Sequence, residues 1–221
     1  MKARLWSIFL AGLLLIFALS VPASAADVPF SDVADSAWYY ESVERVYEKN
    51  WMNGTGNDCF SPDDSLTRAM LAVILWRIEG SQDASRTVTF TDTSANAWYA
   101  DGLSWCAEKG LFAGYPNGSF GPDDAVTREQ LAIVFFRYAE KTGAVPSGQA
   151  GHTTFKNGCP WAADACDWAN EHGLFTDAIG TLDLCAPASR AEIAYLLDQY
   201  FPSEASPSAL TENSFDSMGY L

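Results

Sequence analysis

Three stretches of the chain place apolar residues at i, i+3, i+4 and i+7. They are Leu71, Ile74, Leu75 and Ile78; then Leu131, Val134, Phe135 and Tyr138; then Ile193, Leu196, Leu197 and Tyr200. That spacing lines one face of a helix. Thr67, Thr127 and Ser189 stand where an N-cap belongs, and Gln130 and Glu192 complete a capping box in the second and third stretches, where the first has Met70. A shorter helix precedes each, from Trp38 to Asn50, Trp98 to Gly110 and Trp161 to Gly173. Val43, Val46 and Tyr47 make the apolar face of the first, Leu103, Cys106 and Ala107 that of the second. Gly110 and Gly173 serve as left-handed helix stops. The predicted fold class is all-α, built from helix-loop-helix units.

The units are copies of one another. Phe30-Ser31-Asp32-Val33 recurs as Phe90-Thr91-Asp92-Thr93, Trp38-Tyr39 as Trp98-Tyr99, and Thr67-Arg68 as Thr127-Arg128, each pair 60 residues apart. A worn third copy has Phe155, Trp161 and Ser189-Arg190 at the matching places. The expected organisation is unit 1 over residues 26–80, unit 2 with its linker over 81–143, and a degenerate unit 3 with its linker over 144–201. Two helices of this size bury too little apolar surface to stand alone, so the units are expected to pack on one another.

The two ends of the chain read differently. Lys2 and Arg4, an apolar run from Ile8 to Leu19 and the pattern Ala23-Ser24-Ala25 predict a secretory signal peptide over residues 1–25. No later stretch approaches the roughly 20 apolar residues of a transmembrane helix, so no membrane insertion is expected after cleavage. Residues 202–221 are polar and acidic without a period and are expected to be a disordered tail. Without residues 1–25 the chain has 11 basic and 28 acidic residues, a formal charge of about −17. That excludes sequence-independent binding to nucleic acid or anionic lipid. An anionic ligand then has to be held by a few local cations. Of the five cysteines, Cys106 and Cys166 fall on helices as small core residues. Cys159 and Cys185 fall in loops of one unit, and a bridge between them requires Cα atoms within about 7 Å.

The ordered set Phe-Ser-Asp-Val, Trp-Tyr, the loop from Gly114-Tyr115-Pro116-Asn117-Gly118 to Asp124, and Val126-Thr127-Arg128 resembles the S-layer homology repeat. The resemblance spans about Phe30 to Phe201 in three copies. It implies a pseudo-threefold helical module, secreted and held at the cell wall, whose inter-repeat grooves bind secondary cell-wall polysaccharide, often through a pyruvylated sugar. The family's Thr-Arg-Ala-Glu motif is uneven here, and only its arginine survives in all three copies. The glycine loop is full in unit 2, partial in unit 1 from Gly54 to Phe60, and absent in unit 3, where Asp177 replaces the glycine.

These residues define the candidate ligand site. Arg68, Arg128 and Arg190 each occupy the first helical position, where the helix dipole disfavours a cation. An anion there would meet free backbone N–H groups and a guanidinium together. The alternative is pairing with Asp63, Asp64, Asp123 or Asp124. Because its own loop is best preserved, Arg128 is expected to matter most, Arg68 next and Arg190 least. Trp38, Trp98 and Trp161 either stack on a sugar or anchor the core, and packing is the favoured reading. Gly54, Gly56, Gly114 and Gly118 suit positive φ or close approach of a ligand, and Tyr115 and Asn117 share the full loop.

No catalytic, cofactor or metal site is expected. His152 lies in a linker and His172 at a helix end, the paired aspartates lack calcium-loop spacing, and no nucleophile motif is present. The rival readings are a protein-docking or coat-forming module and, behind it, a wall hydrolase using two carboxylates.

Overall fold

A computed structural model of the chain describes residues 28–86, 89–144, 154–175 and 181–201. The expected signal peptide, the tail, most of the second linker and Asp177 lie outside the described residues. The described residues form six α-helices, α1 (Tyr40–Glu48), α2 (Arg68–Ile78), α3 (Ala100–Glu108), α4 (Arg128–Thr142), α5 (Ala163–Glu171) and α6 (Arg190–Tyr200). The only sheet among the described residues is a parallel pair of two-residue strands, β1 (Phe155–Lys156) and β2 (Leu182–Asp183). The class is therefore all-α. None of the described helices is long and apolar enough to cross a membrane.

Local chemistry sets the helix ends. Thr67, Thr127 and Ser189 are extended and accept the N3 backbone N–H through their hydroxyls, with full capping boxes at Gln130 and Glu192. Gly110 and Gly173 take positive φ after α3 and α5, and Asn50 does the same after α1. The first helices begin two residues later than their tryptophans, which sit on preceding turns.

The helices pack across units: α2 lies on α3, α4 on α5, and α6 returns to α1, closing a ring. Gly102 permits one of these crossings, since a Cβ there would fall 2.8 Å from the Val73 Cα. At the hub, the extended residues just before each cap pair with those of the other units, through the bridges Ser65–Ser189, Thr67–Ala125 and Thr127–Pro187. Leu66, Val126 and Ala188 are fully buried there. Burying each of the two larger side chains contributes about 1.5 to 3 kcal/mol. The α6–α1 seam is held by Asp198, whose carboxylate accepts from Arg45 Nε and Nη2 at 2.5 Å each and from the Ser42 hydroxyl at 3.0 Å.

Asp32 and Asp92 of the repeated motif tie each unit's start to its loop. Each carboxylate accepts two backbone N–H groups at 2.7 Å, from Phe60 and Ser61 in unit 1 and from Phe120 and Gly121 in unit 2.

One buried acid carries a pH dependence. Glu79, at the end of α2, accepts the Tyr138 hydroxyl through Oε1, while its buried Oε2 has no hydrogen-bond partner among the described residues. Burial pushes its carboxyl above the usual value, and the Tyr138 bond only partly offsets this. A carboxyl raised on folding contributes its full stability below the unfolded value of about 4.3 and loses it as pH rises through the folded value. Glu79→Gln is thus expected to gain on the wild type from pH 4 to pH 8 in urea midpoints. A constant difference between the two proteins across that range would contradict it.

Candidate ligand-binding cleft

The three arginines do not act with their own unit's loop. Arg68 of unit 1 donates from Nε to Phe120 O at 2.9 Å and from Nη2 to Ala113 O at 3.0 Å, both in the loop of unit 2. Arg190 of unit 3 reaches unit 1 in the same way, donating to Phe60 O and Asn53 O at 2.7 Å. Arg128 of unit 2 reaches unit 3, where Nη1 donates to Asp183 O at 3.1 Å and Nε and Nη2 grip Glu192 at 2.7 to 2.9 Å. Each arginine is thus a strut to the next unit around the ring.

Two electrostatic expectations change as a result. The first N–H groups of α2, α4 and α6 are not free: Arg68 N donates to Asp124 O, Arg128 N to Ala186 O and Arg190 N to Asp64 O, at 2.8 to 3.2 Å. The next N–H groups, of Ala69, Glu129 and Ala191, donate to Pro122 O, Leu184 O and Pro62 O. The neighbouring unit satisfies the starts of α2, α4 and α6, so the first N–H groups beside the three arginines are not left open for an anion. Nor does any of the three arginines form an ion pair with Asp63, Asp64, Asp123 or Asp124; the pair that does form is Arg128–Glu192.

The arginines differ in what remains to them. All three Arg128 nitrogens are engaged, and only about 10 Å³ of space remains among Arg128, Glu192 and Tyr195. Arg68 has no carboxylate within ion-pair distance among the described residues, its Nη1 has no hydrogen-bond partner there, and it stands against the rings of Phe112, Tyr115 and Phe120 at 4.6 to 5.3 Å. Burial pulls its guanidinium below the usual arginine value, with Tyr115 and Asp124 opposing. It lines a cleft of about 660 Å³ that runs along α4 to unit 3, shared with Tyr115, Gln130, Arg137 and the indole of Trp161.

The tryptophans are not core residues, contrary to the packing reading. Trp38, Trp98 and Trp161 are 41%, 64% and 59% exposed. The residue after each turns inward instead: Tyr99 and Ala162 are buried and Tyr39 partly so. Trp38 and Trp98 stand edge-on to the following tyrosine, at 5.2 and 5.4 Å between ring centroids. Gly56 and Gly118 have positive φ, but Gly54 and Gly114 do not. At Gly114 the requirement is space, because a Cβ would meet the Phe90 ring at 2.5 Å and Ser119 O at 2.8 Å, and Gly54 faces Phe30 in the same way. Asn117 accepts from Ser119 N and Oγ within its turn and does not line the cleft.

The structure therefore brings Arg68, Gly114 and Tyr115 together with Trp161, weighed above as a stacking or a packing residue, and adds Gln130 and Arg137, which were not candidates for the site. Arg137 repeats Arg77 at the 60-residue period, the one signal by which it could have been found.

Residues 29–70 and 89–132 match the family model described as the S-layer homology domain. Two of the three units thus match the S-layer homology model. The chain is also 32% identical over 162 residues to an endoglucanase of Bacillus sp. (strain KSM-635), covering 68% of this chain and 17% of that protein. It is 32% identical over 111 residues to a cellulosome-anchoring protein of Acetivibrio thermocellus, covering 48% and 25%. Against the S-layer protein sap of Bacillus anthracis it is 27% identical over 196 residues, covering 83% and 23%. The chain spans a quarter or less of each of these relatives. Their names describe both enzymes and surface proteins.

Proposed function

We propose that the chain is a non-catalytic cell-wall-anchoring module of three S-layer homology repeats that binds an anionic secondary wall polysaccharide at the cell surface. The cleft on α4 is its principal site. The observation that carries this reading is the combination, in one open cleft, of an exposed indole, a tyrosine and two guanidinium groups in a chain of net charge −15. An indole face suits the apolar face of a pyranose, and a guanidinium with an unused donor suits a carboxylate on the sugar. Arg68, which shares the cleft with Arg137, is the cation of that site. Arg190 is second, since it too keeps Nη1 free, and Arg128 is a structural strut. The relatives named for anchoring and for the surface layer support the same role.

The test is sedimentation of the purified chain with wall sacculi before and after chemical removal of their secondary polymer. Co-sedimentation is expected with intact sacculi and not with stripped ones. Equal pelleting with both would reject polysaccharide anchoring and favour docking to protein or to the peptidoglycan itself.

A further inference from the structure

Unit 3 lacks the aspartate that, in units 1 and 2, ties the start of the unit to its own loop. Where Asp32 and Asp92 accept two backbone N–H groups each, unit 3 has Asn157, whose amide Nδ2 donates instead to Asp183 at 2.9 Å. A neutral amide has one acceptor oxygen and cannot reproduce the carboxylate's double acceptance. In its place the backbone forms the β1–β2 pair, with Leu182 N donating to Thr154 O at 2.9 Å and Leu184 N to Lys156 O at 3.1 Å. Because β1 and β2 are parallel, the chain leaves both strands at the same end. Cys159 follows β1 by three residues and Cys185 follows β2 by two.

We propose that Cys159 and Cys185 form a disulfide that replaces the missing aspartate clamp of unit 3. The two sulfurs and a carboxylate oxygen of Glu129 all lie within 4.8 Å of one another. Glu129 Oε2 accepts from Cys159 N at 3.1 Å, and Cys185 Sγ lies 3.9 Å from it and against Asn157 O. Desolvation and the Glu129 carboxylate push the Cys185 thiol up to about 11. A charged thiolate is therefore disfavoured beside Glu129, whereas an uncharged disulfide is not. Cys185 is exposed and open to a small oxidant, while Cys106 and Cys166 are buried and Cys59 belongs to the loop of unit 1.

The oxidant is a low-molecular-weight disulfide. One cysteine, as its thiolate, attacks a sulfur of that disulfide and releases one small thiol. The second cysteine attacks the resulting mixed disulfide and releases the other. Two S–H bonds break, one protein S–S bond forms, and the two protons and two electrons leave with the two small thiols.

The bond would close residues 159–185 into a loop and restrict the unfolded chain, which is expected to raise the melting temperature by about 5 to 10 °C. The purified full chain, reduced and then incubated with oxidised glutathione, is expected to lose the mass of two hydrogens. Its digest should yield a Cys159–Cys185 linked peptide. Cys159→Ser and Cys185→Ser should abolish the thermal gain, and Cys59→Ser should keep it. Linkage through Cys59, or Cys159 and Cys185 both still open to alkylation after oxidation, would overturn the proposal. So would a reduced chain stabilised by zinc chloride but not by oxidation, which would make Cys159, Cys185 and Glu129 a metal site.

Discussion

Glu192→Ala is expected to lower the unfolding free energy by about 3 to 5 kcal/mol, a large part of the stability of a domain this size. Glu192 holds two nitrogens of Arg128 and also accepts Ser189 N at 2.7 Å, so one side chain caps α6 and anchors the strut from unit 2. The Arg128 and Glu192 side chains are only 14% and 12% exposed. Truncating Glu192 would strand a nearly buried guanidinium and open the capping box together. Glu192→Gln keeps an acceptor for the cap and should lose less. Urea denaturation at neutral pH measures both, and an alanine variant within about 0.5 kcal/mol of wild type would show that the seam between units 2 and 3 does not depend on this pair.

Trp161→Ala is expected to weaken binding to purified wall polysaccharide about tenfold or more, equivalent to about 1.4 kcal/mol. Arg68→Ala should weaken it by about 1.5 to 3 kcal/mol, the range for a hydrogen bond to a charged group. Trp161 is 59% exposed, so its loss should leave the melting temperature nearly unchanged and separate binding from folding. Arg68 is 5% exposed and bonded to two carbonyls, so its variant needs a helicity control. Arg128→Lys should leave affinity nearly untouched, because none of its nitrogens is free for a ligand. Equal affinity losses from Trp38→Ala, Trp98→Ala and Trp161→Ala would instead mean three equivalent grooves. Full affinity after Trp161→Ala would remove the α4 cleft from the binding site.

By itself the sequence determined the helices, their caps and stops, the helix-loop-helix repeat and the resemblance to the S-layer homology family. These depend on contacts a few residues apart: the period of Leu71, Ile74, Leu75 and Ile78, the hydroxyl of Thr127 on Gln130 N, and the left-handed turns at Gly110 and Gly173. Short-range geometry of this kind is written into residue order.

Only the tertiary structure decided which partners meet across the ring. Reading Arg128 with the loop of its own unit paired it with the wrong neighbours, because each strut crosses to the following unit and the full loop of unit 2 therefore meets Arg68. The hub pairs residues more than 50 positions apart, and its carbonyls close the helix ends that looked open to an anion. Trp161 was read as an anchor because hydrophobicity favours burial, yet its exposure follows from its place on a turn before α5, with Ala162 facing inward. Periodicity states which residues share a face of one helix. It does not state which face of which neighbour that helix meets, and the cleft is made of that choice.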